Sequence, residues 1–211
     1  MGVLPIFKPF EVQSEVIGSY SVTFIDDLKL RILEELSKGD AIIIVDENIV
    51  ELFNKELEEV LLSSRVVKIV SGEKSKTMNY AQEVIRKLIG MNVRKNDKLI
   101  AIGGGITQDI VAFISSILYR GVEWVFFPTT LLSQCDSCIG SKTSINYSVY
   151  KNLLGGFYPA REVRINTEFL KSLPDSEIKS GIGEMLHYFL LNHKYDLCEK
   201  MVNDKDIVNN I

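Results

Sequence analysis

The sequence lacks the features that identify a nucleic-acid-binding, membrane or secreted protein. Its net charge is −4 and it contains no block of lysine or arginine, whereas binding a phosphate backbone requires a basic surface. No apolar run approaches the roughly 20 residues of a membrane-spanning helix. The N-terminal segment has neither the charged start nor the apolar stretch of a secretory signal. We therefore expect a cytoplasmic protein without nucleic acid or membrane partners.

Cysteine and histidine are also scarce. Three cysteines fit a reduced compartment better than a disulfide framework. Cys135 and Cys138 form a C-x-x-C pair, but no second pair and no neighbouring histidine completes a zinc site. We interpret them as buried or loop thiols without a redox role. The two histidines, His187 and His193, lie in one C-terminal helical pattern.

What the sequence does contain is an alternation of strand and helix patterns. A chain of 211 residues that is 46% hydrophobic can bury a substantial core. Repeated strand-helix units predict an α/β fold with a Rossmann-like parallel sheet and helices on both faces, and such sheets bind ligands beyond the carboxyl ends of their strands. The predicted strands are 20–24, 41–45, 66–70, 98–102, 124–127 and 163–165, and the predicted helices are 28–36, 49–62, 78–91 (capped by Thr77) and 109–118.

The pattern changes after Pro174. From Asp175 onward the chain has helical spacing without intervening strands, and residues 180–202 have the pattern of one long helix. We therefore predict an α/β domain over residues 1–174 and the incomplete beginning of an all-helical domain over residues 175–211. The sequence is accordingly expected to be a truncated or partial chain.

The segment from Gly103 to Asn152 concentrates glycines, hydroxyls, lysines and aspartates after apolar strands. Gly103-Gly104-Gly105 follows a strand and precedes a helix, where backbone N–H groups can approach a pyrophosphate at the positive end of the helix dipole. The spacing is not the G-x-G-x-x-G fingerprint, so a tight strand-to-helix turn stays an alternative. Asp109 is expected either to face the nicotinamide side of a dinucleotide or to cap the helix.

Two earlier strand exits are polar as well. The segment Ser71-Gly72-Glu73 to Lys76 offers a carboxylate and an ammonium to a ribose or a phosphate, and Asp46 and Asn48 follow the strand before it. Each exit alone is equally compatible with a solvated turn. Their joint placement on one edge of a sheet favours a bound dinucleotide.

Together these residues resemble the dehydroquinate synthase family of sugar phosphate cyclases. Members of that family bind NAD in an N-terminal α/β domain and a catalytic divalent metal, usually zinc, against a C-terminal helical domain. The resemblance implies a lyase of the shikimate pathway to aromatic amino acids, which converts 3-deoxy-D-arabino-heptulosonate 7-phosphate to 3-dehydroquinate with loss of phosphate. The motifs in common are G-G-G-x-x-x-D at 103–109, R-G at 120–121, P-T-T-L-L at 128–132, D-S-x-x-G-x-K-T-x-x-N at 136–146, K-N at 151–152 and G-x-x-E at 181–184.

The resemblance also implies roles for individual residues. Lys142 and Asn152 would bind the substrate near its phosphate, and Asp136 would bind its hydroxyls. Arg120 would reach a phosphate across the interface of a homodimer. Glu184 would bind the metal, zinc or cobalt, with two further histidine ligands downstream of residue 211. The residues that would contact NAD are Asp46, Ser71, Gly72, Glu73, Lys76, Gly104, Gly105, Asp109, Thr129, Thr130, Lys142, Lys151, Phe169 and Ser172.

Three positions depart from the family pattern. His187 stands where the family has a substrate-contacting lysine, and a histidine is shorter and only partly charged at neutral pH. Because Glu184 precedes it by three residues, the two side chains can also bind a metal on one helical face. Ser141 and Ser144 replace glycines beside Lys142, which predicts a slightly different loop path.

These departures leave alternatives open. One is a cyclase that acts on another seven-carbon sugar phosphate, and another is a noncatalytic homologue. A third is a relative of the glycerol and alcohol dehydrogenases, which share the architecture, the glycine-rich turn and a P-T-T segment but usually continue with small residues. The 211-residue chain by itself is expected to be inactive, because its metal ligands would be incomplete.

Overall fold

The computed structural model describes residues 8–203 and is built around a central sheet. Its strands are β1 (Phe10–Ser14), β2 (Gly18–Phe24), β3 (Ala41–Asp46), β4 (Val66–Ile69), β5 (Lys98–Gly103), β6 (Glu123–Pro128) and β9 (Glu162–Ile165), and β7 (Lys142–Tyr147) and β8 (Tyr150–Phe157) form a separate hairpin. The seven-stranded sheet has the order β1-β2-β9-β6-β5-β3-β4. All of its pairings are parallel except that of β1 with β2.

The helices connect these strands in sequence order. They are α1 (Leu28–Ser37), α2 (Glu47–Leu52), α3 (Asn54–Leu61), α4 (Met78–Gly90), α5 (Gly105–Ile117), α6 (Leu131–Cys135), α7 (Asp175–Leu191) and α8 (Tyr195–Asn203). Short 3-10 turns lie at Glu73–Ser75, Leu118–Arg120, Ser137–Ile139 and Thr167–Ser172. As predicted, Thr77 caps α4, where its hydroxyl accepts a hydrogen bond from the N–H of Tyr80.

The core lies on both faces of the sheet, because alternate residues of each strand point to opposite sides. On one face, Ile42, Leu99 and Phe126 pack with the apolar residues of α4 and α5. On the other, Ile43 and Ile100 pack with residues of α1 and α3. Strands buried on both faces and covered by helices confirm the predicted Rossmann-like α/β fold.

Several element boundaries differ from the predictions. The helix expected at 49–62 is two helices, because Phe53 has non-helical angles (φ −117, ψ 35) and packs edge-on against Phe169, with ring centroids 4.9 Å apart. The helix expected at 180–202 is likewise α7 and α8, separated by a turn in which His193 has φ 56. Helix α5 begins at Gly105, four residues before the predicted start. Strand β1 was not predicted.

The hairpin β7–β8 occupies the segment expected to be a long loop. Thr143 and Ile145 of β7 are buried, and the hairpin packs on α5. Gly155 pairs with Ser144, and a Cβ there would lie 1.8 Å from the carbonyl oxygen of Thr143. Only glycine therefore lets the two strands approach this closely.

Helix α7 begins directly after Pro174, where the sequence pattern changes. Ile178 packs with Leu131 and Leu170 in a small third cluster, so this helix contacts the α/β part. The division into domains at residue 174 stays a prediction. None of the helices described between residues 8 and 203 is long and apolar enough to cross a membrane.

Candidate functional site

The strand order creates a crevice at the carboxyl ends of β3 and β5. These strands are neighbours, but the chain continues from β3 to β4 on one side and from β5 to β6 on the other. Ligands bind at such a switch point in open α/β sheets. Strand β3 ends at Asp46, β5 is followed by Gly104, and β6 is followed by Thr129. This edge of the sheet is therefore the candidate site.

The glycine turn after β5 combines close packing with an open helix end. A Cβ on Gly103 would lie 2.3 Å from Oγ1 of Thr107, and one on Gly104 would lie 2.9 Å from Cγ2 of Thr130. Gly104 is the N-cap of α5, and no side chain among residues 8–203 caps its first-turn N–H groups. Those groups and the positive end of the helix dipole are available to an anion.

The polar residues after β3 and β4 adjoin this turn. The hydroxyl oxygens of Ser71 and Thr107 are 2.8 Å apart. Asp46 caps α2 by accepting the N–H of Asn48 at 3.0 Å. Burial raises the pKa of Asp46, and hydrogen bonds from Asn48 and Ser71 oppose that rise. The predicted polar strand exits are therefore neighbours in space.

Lys76 joins this edge to the hairpin. The residue is only 5% exposed, and its Nζ lies 2.5 Å from Oδ2 of Asp109 and 2.5 Å from Oδ1 of Asn152. Burial raises the pKa of Asp109, while the ion pair with Lys76 acts to lower it. Asp109 lies inside α5 and not at its N-terminus, so the expectation that it might cap the helix is wrong.

Asn146 fastens the hairpin to the segment after β4. Its backbone N–H donates to the carbonyl of Lys76 at 2.7 Å, and its Nδ2 donates to Oε1 of Glu73 at 2.7 Å. Its Oδ1 accepts the N–H of Asn152 at 2.8 Å. Lys151 lies 3.7 Å from the same Glu73 carboxylate. Sequence reasoning assigned Asn146 no role, although it closes the D-S-x-x-G-x-K-T-x-x-N motif.

A groove of about 430 Å³ lies along the hairpin. Lys142 borders it, is exposed, and forms no ion pair with any residue from 8 to 203. Ser144 lies in regular strand, with its Oγ 3.3 Å from Oδ1 of Asp109 and 3.1 Å from Oδ1 of Asn152. Neither Ser141 nor Ser144 has a positive φ, so neither position requires the freedom of glycine. The groove is lined by Lys142, Thr143, Ser144, Asn152, Leu153, Gly155, Gly156 and Phe157.

Asp136 lies at the end of α6, between α5 and α7. Tyr188 donates a hydrogen bond of 2.6 Å to Oδ1 of Asp136, and this hydrogen bond raises the pKa of Tyr188 to about 12. The adjacent Ser137 exchanges two hydrogen bonds of 2.6 Å with Gln108 of α5. Sequence reasoning missed Tyr188, whose only local signal is its position one helical turn after Glu184.

Glu184 and His187 lie one turn apart on α7. Oε1 of Glu184 is 3.6 Å from Nδ1 of His187, a distance that either an ion pair or a shared metal can use. Across residues 8–203 there is no group of three histidine, cysteine, aspartate or glutamate side chains that could hold a metal ion. The metal role of Glu184 therefore stays a prediction.

Two predicted site residues do not present a side chain at the carboxyl edge of the sheet: Arg120 lies at the opposite edge, and Phe169 lies in the core. Arg120 is exposed at φ 61, beside Tyr119 at φ 49, in the turn between α5 and β6. Because α5 runs back from the glycine turn, Arg120 lies at the amino edge of the sheet and does not join the site within one chain. Phe169 is fully buried, so its side chain is part of the core, and its predicted contact with NAD stays a prediction.

The remaining predicted residues have structural partners as well. Thr130 caps α6 in a capping box with Ser133, and the N–H of buried Thr129 donates to the carbonyl of Gly103 at 3.0 Å. Ser172 donates to the carbonyl of Phe169 at 2.9 Å. These contacts hold the segments near the glycine turn, and the cofactor roles stay predictions.

The C-x-x-C thiols are free and poorly reactive. Burial raises the pKa of Cys135 to about 11 and that of Cys138 to about 12. With their pKa values raised, both groups are protonated at neutral pH. The thiolate is the reactive form of cysteine, so both react slowly. Their lack of a redox role stays a prediction.

Comparison with known proteins places these features in a family. A sequence model of the 3-dehydroquinate synthase N-terminal family matches residues 66–180. The 3-dehydroquinate synthase of Clostridium tetani (strain Massachusetts / E88) is 37% identical over 157 residues, which are 74% of this chain and 42% of that protein. That of Staphylococcus aureus (strain Newman) is 38% identical over 152 residues, 71% of this chain and 43% of that protein. The chain thus spans less than half the length of these relatives.

Solved structures have the same fold. The 2-epi-5-epi-valiolone synthase of Streptomyces hygroscopicus subsp. jinggangensis 5008, with NAD+ and Zn2+ bound, is 25% identical with a TM-score of 0.70, over 95% of this chain and 60% of that one. A 2-deoxy-scyllo-inosose synthase complexed with carbaglucose-6-phosphate, NAD+ and Co2+ has a TM-score of 0.70 at 22% identity, over 83% of this chain and 50% of that one. Glycerol dehydrogenase of Schizosaccharomyces pombe has a TM-score of 0.60 at 20% identity, over 80% of this chain and 42% of that one. The last two show likeness of fold alone. Since the family match covers more than half of the chain, the protein belongs to the 3-dehydroquinate synthase family, whose N-terminal domain it contains.

Proposed function

We propose that the chain forms the NAD-binding and phosphate-binding part of a 3-dehydroquinate synthase-like cyclase. The reaction would convert 3-deoxy-D-arabino-heptulosonate 7-phosphate to 3-dehydroquinate with elimination of phosphate. One observation carries the proposal: the buried ammonium of Lys76 contacts Asp109 on the helix after the glycine turn and Asn152 on the hairpin. A dinucleotide bound at the sheet edge and a phosphate bound in the hairpin groove would therefore lie next to each other, on either side of Lys76.

NAD fits the residues at the sheet edge. The uncapped N–H groups of α5 suit a pyrophosphate, and the Asp46 and Glu73 carboxylates suit ribose hydroxyls. The valiolone and inosose synthases named above carry NAD+ in their structures, which supports the same cofactor here. When bound, NAD supplies a hydride acceptor that is restored within the catalytic cycle.

The chain's own residues would hold and orient the sugar phosphate. Lys142 and Asn152 line the groove, so an ammonium and a carboxamide would bind the phosphate there. Tyr188 fixes Asp136 through one carboxylate oxygen. The other oxygen, which accepts no hydrogen bond from residues 8–203, would accept one from a substrate hydroxyl. Holding one substrate through several steps makes orientation the main contribution of these groups.

A divalent metal fits this chain only in part. Glu184 and His187 face each other at 3.6 Å, whereas a catalytic zinc site takes about three protein ligands. We propose Glu184 as one ligand of a metal that would polarise substrate hydroxyls. The related structures with Zn2+ or Co2+ bound support a divalent metal.

The phosphate contact proposed for Arg120 requires a homodimer. It is exposed at the amino edge of the sheet, away from the groove that contains Lys142. A phosphate contact by Arg120 would therefore have to involve the site of a second subunit. The proposal includes a role in the shikimate pathway, to which the proposed reaction belongs, and cytoplasmic localisation.

A cyclase with a different heptulose phosphate substrate is the second candidate. His187 is exposed on the helix that carries Glu184, and its side chain is shorter than that of a lysine and lacks the lysine ammonium group. The likeness to a valiolone synthase over 95% of this chain agrees with that alternative. The substrate panel of the assay below separates the two candidates.

Two measurements test the proposed function. Titration calorimetry with NAD, followed by inorganic phosphate, is expected to show binding of both to the chain. For catalysis, the chain is joined to the C-terminal domain of the Staphylococcus aureus relative and supplied with NAD and Zn2+. Separate reactions contain 3-deoxy-D-arabino-heptulosonate 7-phosphate or another heptulose phosphate, and the substrate from which phosphate is released distinguishes the two cyclase candidates. Phosphate release without net NADH is the expected result. Accumulation of NADH would identify a dehydrogenase, and NAD binding without phosphate release from any heptulose phosphate would identify a noncatalytic homologue.

A further inference from the structure

The hydroxyl of Ser144 lies among three side chains of the proposed site. Its Oγ is 3.3 Å from Oδ1 of Asp109 and 3.1 Å from Oδ1 of Asn152. Nζ of Lys76 contacts the same two residues. Ser144 thus closes a ring of polar groups between α5 and the hairpin, which a glycine at this position could not do.

This ring determines how the Asn152 side chain is oriented. A carboxamide has an oxygen that only accepts and a nitrogen that only donates hydrogen bonds. Oδ1 of Asn152 accepts from Lys76 at 2.5 Å and from Ser144 at 3.1 Å, so the oxygen is directed at the ring. Nδ2 donates to no group among residues 8–203, and Asn152 lines the groove that contains Lys142.

The backbone of Asn152 is fixed as well. Its N–H donates to Oδ1 of Asn146, and its φ of 55 places it in the left-handed region. With the main chain held, the remaining freedom is rotation of the carboxamide. The ammonium of Lys76 repels the NH2 group of Asn152 and attracts its oxygen. Oδ1 of the amide is therefore the end that faces Lys76. Ser144 has a single hydroxyl hydrogen, and when this hydrogen is directed to Oδ1 of Asn152, the nearer of its two acceptors, it supplies the second donor that holds the plane of the amide.

We infer that Ser144 is a positioning residue that keeps the Nδ2 group of Asn152 directed into the groove beside Lys142, where it donates to a phosphate. The inference rests on the proposed function, since it assigns that groove to the phosphate ester. A competing interpretation is that Ser144 only ties the hairpin to α5 through Asp109. The two differ in whether loss of the hydroxyl affects phosphate alone.

The experiment uses three variants of the whole chain and two probes. Ser144→Ala removes the hydroxyl, Ser144→Thr retains it, and Ser141→Ala changes the serine on the other side of Lys142. The Ser141 hydroxyl makes no hydrogen bond with residues 8–203. Titration calorimetry measures the affinity for NAD, and then for inorganic phosphate with NAD saturating.

Ser144→Ala is expected to weaken phosphate binding by about three- to tenfold, as expected for one lost hydrogen bond, with NAD affinity unchanged within about twofold. Ser144→Thr and Ser141→Ala should bind both like the wild type. Equal phosphate affinity in the wild type and Ser144→Ala would overturn the inference. So would a parallel loss of NAD and phosphate binding, which indicates the purely structural role. A wild-type chain that binds NAD but no phosphate would overturn the assignment of the groove, and with it this inference.

Discussion

Tyr188 and Asp136 connect two helices across the candidate site through one hydrogen bond of 2.6 Å. Tyr188 is on α7, one turn after Glu184, and Asp136 ends α6. The phenol is exposed, so its raised pKa results chiefly from the neighbouring carboxylate and not from burial. The proposed substrate-binding carboxylate and the proposed metal ligand are thereby held in one arrangement.

This relationship predicts how Tyr188 titrates. In the wild type its phenol should deprotonate near pH 12, and Asp136→Asn should bring the pKa down toward its ordinary value because the negative charge is gone. NMR of tyrosines labelled at Cζ measures each phenol. Tyr20 is the matched control, since burial is the main cause that raises its pKa to about 12. A Tyr188 titration that is the same in both proteins would contradict the model of a charge-assisted bond.

Glu35 predicts the behaviour of the protein in acid. Burial alone would raise its pKa, but hydrogen bonds from Lys38, Arg164 and Lys98 lower it to about 2. A depressed pKa means that the carboxylate stabilises the fold above its ordinary pKa of 4.5 and that this contribution is lost as the pH falls toward 2. Glu35→Gln should therefore cost about 3 kcal/mol at pH 7 and less at pH 3.

The control for that prediction is the preceding residue. Glu34 forms an ion pair of 3.0 Å with Arg31 on the surface of the same helix, and Glu34→Gln should change the free energy of unfolding by less than about 1 kcal/mol. Urea unfolding at the two pH values measures both variants. If Glu34→Gln and Glu35→Gln destabilise equally, the buried cluster does not have the proposed effect.

The sequence predicted the strands best where burial was most complete. Ala41 to Val45 and Leu99 to Ile102 are continuous apolar runs, and both lie in central strands buried on two faces. The division of the second helix at Phe53 was not predictable, because its cause is packing against Phe169, which is 116 positions later (169 − 53). The hairpin was missed because its pairing depends on the close approach at Gly155 and not on alternation of apolar residues.

For the site, the sequence predicted residue types better than partners. Lys76, Asp109 and Asn152 were each assigned separately, and the structure brings all three together. Their contact depends on strand order and on how the hairpin docks, neither of which local patterns encode. For the same reason Asn146 and Tyr188 escaped notice, since each acts through a partner distant in sequence.

Lys76 predicts a coupled effect on stability and binding. Lys76→Met leaves Asp109 buried without its cation, which should cost about 3 kcal/mol at pH 7 and weaken NAD and phosphate together. Because burial already raises the pKa of Asp109 and Lys76 opposes that rise, the variant's deficit should shrink as the pH falls and the carboxyl becomes neutral. Chemical denaturation at pH 7 and pH 4 measures this.

Two comparison variants make the Lys76 result specific. Adding Asp109→Asn to Lys76→Met should recover part of the lost stability at pH 7, because the unpaired charge is removed. Lys151→Met changes an exposed lysine 3.7 Å from Glu73, and its effect on stability should stay below about 1 kcal/mol. No recovery in the double variant would show that the cost of losing Lys76 arises elsewhere.

The glycine turn offers a test that separates tight packing from anion binding. Gly103→Ala would place a methyl group 2.3 Å from Oγ1 of Thr107, and such overpacking costs about 1–3 kcal/mol. Gly105→Ala has 3.9 Å to its nearest neighbour, Oγ of Ser137, and it lies in the first turn of α5. Its free energy of unfolding should therefore be unchanged or slightly higher, since alanine is the better helix former.

The same Gly105→Ala variant should nevertheless bind NAD less tightly, by about tenfold or more, if a pyrophosphate approaches the N–H groups of α5. Titration calorimetry with NAD and thermal unfolding of the same sample measure the two quantities independently. If the variant keeps both its stability and its NAD affinity, the glycine turn serves close packing and does not bind a pyrophosphate. Loss of NAD affinity with full stability would assign the open end of α5 to the pyrophosphate, because the added methyl group then obstructs only the ligand.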